Sequence, residues 1–227
     1  MSEAAEATAD SIAVNEWSGG TLPYRVGHRK LGMWLFIMSD SLTFGALLFT
    51  YSYVRFSADV WAMPFIFSPS IVFSTVMTLV LLSSSLTMVF AVAAAKRRDR
   101  KKARLWIFAT MAFGLTFVIL HGLEWQHLIE GGLQAFELPE NWLKAFPGAS
   151  PLFGATFFGI TGLHMFHVLT GVAYLGVIAA RIRKFSADDV EVSGLYWHFV
   201  DLVWMFVFPL IYLLSVAPKP VEHLLQH

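Results

Sequence analysis

An all-α membrane bundle of five crossing helices is the fold this sequence predicts, and three observations carry the prediction. The 227 residues are 56% hydrophobic and 14% charged, whereas soluble domains are about 45–50% apolar and about 25% charged. The apolar residues fall in five blocks, at about 31–54, 71–95, 105–127, 152–180 and 196–216. Each is near or above the ~20 residues that cross a bilayer as helix. Lysine and arginine are also divided unevenly among the connections, as they are in multi-pass membrane proteins.

That division sets the direction of the chain. The connection between the second and third blocks reads KRRDRKKAR, the next on the same side carries Arg181, Arg183 and Lys184, and the segment before the first block carries Arg25, Arg29 and Lys30. Only Arg55, Lys144 and Lys219 are left for the opposite side. The positive-inside rule therefore predicts a cytoplasmic amino terminus and an outside carboxyl terminus. Residues 1–30 are polar and lack the pattern of a secretory signal, so they read as a cytoplasmic tail preceding a transmembrane domain over 31–227.

Composition also excludes. The absence of cysteine removes disulfides, thiolate metal sites, iron–sulfur clusters and cysteine nucleophiles. A formal net charge of zero points away from nucleic acid. No inverted repeat of the transporter kind is visible. In GATFFGITG, Ala155, Gly159 and Gly162 are small residues spaced to let helices approach closely.

Ionisable residues at membrane depth are costly, so each is a candidate site. Asp40, in WLFIMSDSLTFG, lies near the middle of the first block. Two readings are open for it: a proton-relay carboxyl, or a neutral acid bonded to Ser39, Ser41 or a neighbouring helix. His121, Glu124 and His127, in HGLEWQHL, stand at i, i+3 and i+6, so adjacent pairs can meet. Glu124 lies toward the outer end of its span, which points to an interfacial hydrogen-bonded acid. Glu124 with His127 forms half of a di-iron pattern, but the sequence has no second half. His164 and His167 share a helix face, and His121, His164 and His198 are conceivable haem ligands from facing helices. Against that stands the reading of hydrogen-bonded packing histidines. In YWHFVDLVWMFVF, His198 and Asp201 can pair at i, i+3, near the cytoplasmic end of the last span, on a seam with Trp197 and Trp204.

Four ordered blocks carry a resemblance: LFIMSDSLTFGALLFTY, LHGLEWQHLI, FFGITGLHMFHVLTG and YWHFVDLVW. Together they resemble subunit III of haem–copper terminal oxidases, over about residues 28–215. The resemblance implies the five-helix bacterial form, which lacks the first two helices of longer relatives, in the bacterial cytoplasmic membrane. It implies an accessory subunit with no catalytic residue, no metal and no haem or copper of its own, those cofactors lying in partner subunits. Such a subunit packs on oxidase subunit I beside the other oxidase subunits, binds phospholipid, and supports proton uptake while the complex reduces O2 to water.

Residue by residue, the resemblance places Asp40 at the family's buried, carbodiimide-sensitive carboxylate. Aspartate there is similar to bo-type quinol oxidases, whereas YWHFVDLVW leans toward the cytochrome c branch. Glu124 matches the acid of a Gln-x-x-Glu-aromatic block in which His121 replaces the glutamine. His164 and His167 match two family histidines, with Met165 in place of a glycine between them. Arg181 and Lys184 align with basic residues that hold a lipid headgroup. The quinol oxidase subunit III and the homologue associated with nitric oxide reductase, which Asp201-Leu-Val-Trp and VFPLIY resemble, are the near alternatives. A haem-binding membrane cytochrome and a small proton-coupled transporter are the readings from other classes.

Overall fold

A computed structural model describes residues 27–218 apart from 183 and 185. Most of the predicted polar tail, together with Arg25, Arg183 and Lys219, lies outside the described residues. Among the described residues there are six α-helices: α1 His28–Ser57, α2 Val72–Lys96, α3 Arg100–Glu130, α4 Glu140–Ala145, α5 Leu152–Ala180 and α6 Ala187–Val207. A wide π-type turn at Phe208–Tyr212 and a 3-10 turn at Leu213–Ser215 prolong α6 past Pro209, whose missing N–H prevents a regular continuation. Five segments are long and apolar enough to span a membrane: His28–Ser57, Phe67–Lys96, Arg100–Glu130, Leu152–Ala180 and Ala187–Ser215.

The last of these begins nine residues before the apolar block at 196–216. Ser186 explains the early start. Its hydroxyl accepts from the Asp189 N–H while the Asp189 carboxylate accepts from the Ser186 N–H, which is a capping box. The polar turn Ala-Asp-Asp-Val-Glu is thereby helical, and His198 and Asp201 sit midway along the prolonged helix rather than near one end. At the other basic connection, Arg97–Asp99 turn the chain between α2 and α3. Arg98 adopts φ 60°, and the Asp99 side chain caps α3 by accepting from the Lys102 N–H at 3.1 Å. That hydrogen bond holds the Asp99 carboxyl below its ordinary pKa.

Hydroxyl residues enter the apolar helices without leaving bare polar groups. Thr43, Thr50, Ser52, Thr75, Thr78, Ser83 and Thr116 each donate to the carbonyl four residues back. In a bilayer such internal pairing is obligatory, because no water is present to supply a partner.

The centre of the bundle is α6, which packs against α1, α2 and α5, while α3 lies against α2 and α5. Half of the apolar window of the last span is buried, against 6% for α1. Trp197 and Trp204, seven residues apart on one face of α6, are almost fully enclosed. The Trp197 ring occupies space left by two glycines. A Cβ on Gly114 of α3 would lie 2.5 Å from the ring, and one on Gly171 of α5 would lie 3.0 Å from it. Both indoles also donate to α2, Trp197 to Ser84 Oγ and Trp204 to Thr78 Oγ1, each at 2.9 Å. Ring size and N–H group are thus both used, as a buried tryptophan requires.

Helix α1 is the outermost, held at three points. Near its start, Arg29 pairs with Asp189, and Lys30 pairs with Glu191 at 2.8 Å. Lys96 of α2 reaches the same Glu191 at 3.1 Å. Midway, Phe44 meets the His167 ring edge-on at 5.5 Å. Near its end, Arg55 donates to the Tyr51 hydroxyl, to Ser215 Oγ and to the Leu214 carbonyl.

The end of the bundle away from the basic turns is closed by the segments after α1 and α3. Phe65 N–H donates to the Ser215 carbonyl and Ala217 N–H donates to the Phe65 carbonyl, while Ser150 N–H donates to the Val60 carbonyl. Trp61, Phe65, Trp142 and Phe153 fill the space beneath in a chain of ring contacts.

The small residues of GATFFGITG act differently from the spacing argument. Nothing lies within 4 Å of a Cβ on Gly159, whereas Gly162 meets the Trp125 ring at 3.0 Å. The tightest approach is at Gly154, where a Cβ would stand 2.0 Å from the Gln134 carbonyl oxygen. Backbone cannot rotate away as a side chain can. Gly154→Ala is expected to lower thermal stability in mild detergent by at least the ~1–3 kcal/mol typical of overpacking. Gly159→Ala should leave the midpoint within error, and equal effects of the two would contradict this packing.

Candidate functional site

Asp40 of α1 faces His167 of α5. Its Oδ1 lies 3.7 Å from His167 Nε2, within ion-pair range but longer than a direct hydrogen bond. Both side chains are largely enclosed, and Asp40 Oδ2 has no hydrogen-bond partner among the described residues. Ser39 and Ser41 are not its partners, since their hydroxyls donate to the Phe36 and Ile37 carbonyls of α1 itself. Across the helix interface it faces His167 of α5 instead, at ion-pair range.

The far side of His167 is held by α6. The Tyr196 hydroxyl donates to the His167 carbonyl at 3.0 Å, and it lies 2.9 Å from Thr170 Oγ1 and 3.2 Å from His167 Nδ1. With Nδ1 engaged there, Nε2 is the nitrogen presented to the carboxylate. Asp40, His167, Tyr196 and Thr170 thus form a short polar chain across three helices. Sequence reasoning named Asp40 and His167 separately. It missed Tyr196 and Thr170, whose only sequence signal is a phenol and a hydroxyl in apolar helices.

Glu124 centres a second cluster. Its Oε1 accepts from Ser74 of α2 at 2.8 Å and its Oε2 accepts from Tyr212 at 2.6 Å. His121 Nδ1 stands 3.3 Å from Oε2, so the i, i+3 neighbours do meet. Only 9% of the Glu124 side chain is exposed. It is therefore enclosed by protein, with Ser74 and Tyr212 coming from segments 50 and 88 residues away to satisfy it.

Beside this cluster, His121 and His164 are fully enclosed among rings. Trp204 lies 5.4 Å from His121 and 5.0 Å from His164, and Phe117 lies 5.7 Å from each. Neither imidazole makes a hydrogen bond among the described residues. No three metal-ligating side chains converge among them either.

His198 and Asp201 do not pair directly. Ser85 of α2 is the partner of His198, its Oγ 2.6 Å from His198 Nδ1. Arg181 and Lys184 are exposed on the turn from α5 to α6, where the Lys184 N–H donates to the Arg181 carbonyl at 2.8 Å.

Comparison with known proteins fits this arrangement. The family model for cytochrome c oxidase subunit III matches residues 19–216. The chain is 31% identical to a cytochrome c oxidase subunit 3 of Alkalihalophilus pseudofirmus over 202 residues, covering 84% of this chain and 88% of the relative. It is 31% identical to the cytochrome c oxidase subunit 3 of Bacillus subtilis, with coverage of 84% and 88%. A cytochrome bo(3) ubiquinol oxidase subunit 3 of Pseudomonas putida is 32% identical, with coverage of 82% and 86%. The five spans and these bacterial relatives together indicate a multi-pass protein of the bacterial inner membrane. With its acids gathered between helices and the match running from ahead of the first span to the end of the last, the chain belongs to the cytochrome c oxidase subunit III family.

Proposed function

We propose that this chain serves as the non-redox subunit III of a cytochrome c oxidase-type terminal oxidase, packing on subunit I and sustaining proton uptake during O2 reduction to water. The observation that carries this reading is Asp40. It is an enclosed carboxylate with one free oxygen, on the helix least covered by the rest of the chain, and it faces an imidazole held from behind by Tyr196. A carboxylate and an imidazole at such range can exchange a proton once a small shift brings them to hydrogen-bond distance. The haem and copper belong to the partner subunits in this reading. The exposed apolar side of α1, from Leu35 and Met38 to Phe49 and Phe56, supplies a surface for partner or lipid.

The amino terminus lies on the cytoplasmic side in this reading. Support comes from Arg29, Lys30 and Lys96, which converge with Asp189 and Glu191 at one end of the bundle. The basic connections singled out by the positive-inside rule thus share one end. Arg181 and Lys184, exposed at that end, suit a phospholipid headgroup. A quinol donor is the second reading, favoured by the aspartate at position 40 and by the similar identity to the Pseudomonas putida quinol oxidase subunit.

Two measurements on the assembled oxidase test these assignments. Asp40→Asn keeps the shape of the side chain and removes the charge. It is expected to preserve assembly and initial turnover but to slow sustained proton uptake and hasten inactivation during turnover severalfold, read by stopped-flow proton uptake and oxygen consumption. Unchanged values for both would make Asp40 structural. Arg181→Gln with Lys184→Gln should reduce the phospholipid retained per complex by about one molecule, on the reading that the two hold one headgroup. Unchanged lipid by native mass spectrometry would remove that assignment.

A further inference from the structure

Tyr196 touches His167 twice, once at the ring and once at the backbone. Its phenol oxygen lies 3.2 Å from His167 Nδ1 and 3.0 Å from the His167 carbonyl oxygen, with Thr170 Oγ1 at 2.9 Å. The phenol ring is held in place by its neighbours. A Cβ on Gly171 of α5 would lie 3.0 Å from Tyr196 Cε1, and Phe36 of α1 packs at 5.8 Å on the ring. Only the direction of the O–H bond is free, because a hydroxyl hydrogen rotates to suit its partners.

Which nitrogen of a neutral imidazole carries the proton is set by the bond the other nitrogen makes. Suppose that Nδ1 is bare and accepts from Tyr196. The ring proton then sits on Nε2 and points at Asp40. An ionised Asp40 would face a neutral ring, a lone charge among apolar helices with Oδ2 unpartnered, which is costly. A protonated Asp40 would accept from Nε2–H and leave its own O–H without an acceptor. Two arrangements avoid both costs: a protonated Asp40 donating to a bare Nε2, and a carboxylate facing an imidazolium. Both carry a proton on Nδ1. Tyr196 oxygen is placed to accept it, since the phenol hydrogen has the His167 carbonyl as its own acceptor.

We propose that Tyr196 is a positioning residue that holds the proton on His167 Nδ1 and so keeps Nε2 open as the acceptor for the proton of Asp40. In the step this permits, the Asp40 Oδ1–H bond breaks and the His167 Nε2–H bond forms, and a neutral pair becomes an ion pair. The reverse step returns the proton to Asp40. Tyr196 gains and loses nothing in either direction. Its part in proton uptake rests on the role proposed for Asp40, whereas the hydrogen-bond assignment does not.

The test uses the full chain, labelled with 15N-histidine and placed in lipid bilayers, with His167 resonances identified by their loss in His167→Gln. Solid-state NMR is expected to show His167 protonated at Nδ1. Tyr196→Phe keeps the ring between Gly171 and Phe36 and removes the acceptor. It should lower the ratio of Nδ1-protonated rings to Nε2-only rings roughly tenfold, the effect of leaving one buried donor unpaired. Thr170→Val should leave that ratio unchanged, because Tyr196 retains the carbonyl. A bare Nδ1 in the wild type, or an unchanged ratio in Tyr196→Phe, would overturn the proposal, and the wild-type result decides alone if the variant inserts poorly. In the assembled oxidase, Tyr196→Phe should preserve initial turnover and slow sustained proton uptake as Asp40→Asn does. Uptake that responds to Asp40→Asn but not to Tyr196→Phe would overturn the positioning role. Uptake that responds to neither would instead overturn the proton role of Asp40, with the Nδ1 assignment upheld by the NMR ratio.

Discussion

Two indole rings on one face of α6 are what the rest of the bundle depends on. In lipid there is little hydrophobic gain from moving an apolar side chain from acyl chains to protein, so helices associate through close fit and internal hydrogen bonds. Trp197 uses both. Its ring fills the gap left by Gly114 and Gly171, and its N–H reaches Ser84, so one side chain joins α2, α3, α5 and α6. Trp204 repeats the arrangement two turns later with Thr78 as acceptor and with Phe117, His121, His164 and Tyr212 around the ring. Truncating a buried tryptophan costs roughly 3–5 kcal/mol in soluble cores. Here it would also leave a buried hydroxyl with one bond fewer.

From that centre the polar residues acquire their places. The same helix that carries the indoles supplies Tyr196 behind His167 and, at its far end, Tyr212 on Glu124. Asp40 is thereby faced by an imidazole that cannot swing away freely, although α1 itself is mostly uncovered. Glu124 has the opposite character. Both of its oxygens accept hydrogen bonds, one from Ser74 and one from Tyr212. One carboxylate with a free oxygen on a thinly covered helix and one fully engaged in the core are therefore suited to different work. In the proposed function the first is the one that exchanges protons with the surroundings of the chain.

Much of the architecture was legible in the sequence, and the exceptions have physical reasons. Apolar runs mark spans because bilayer thickness sets their length, and the four earlier blocks coincide with helices to within a few residues. The start of α6 was hidden because Asp188, Asp189 and Glu191 look like a loop until Ser186 is seen capping them. The short α4 lay in a connection with no periodic signal. At the site, periodicity identifies which residues share a helix face but not which neighbour that face meets. His198 and Asp201 are three residues apart on α6, yet the partner of His198 is Ser85, 113 residues away in the chain. The same limit hid Ser74 and Tyr212 from Glu124. It also made Ser39 and Ser41 candidate partners for Asp40, although i−3 and i−4 carbonyls were the nearer acceptors for their hydroxyls.

Packing and hydrogen bonds arrange the buried acids and histidines of this accessory subunit, and in the proposed function the haem lies in its partners. The most direct test is to isolate the complex through a tag on this chain and record reduced-minus-oxidised spectra of the complex and of the separated chain. The account predicts haem in the complex, carried by a large partner, and none on the chain alone. Haem retained by the separated chain, with His164 or His198 as its ligand, would contradict it.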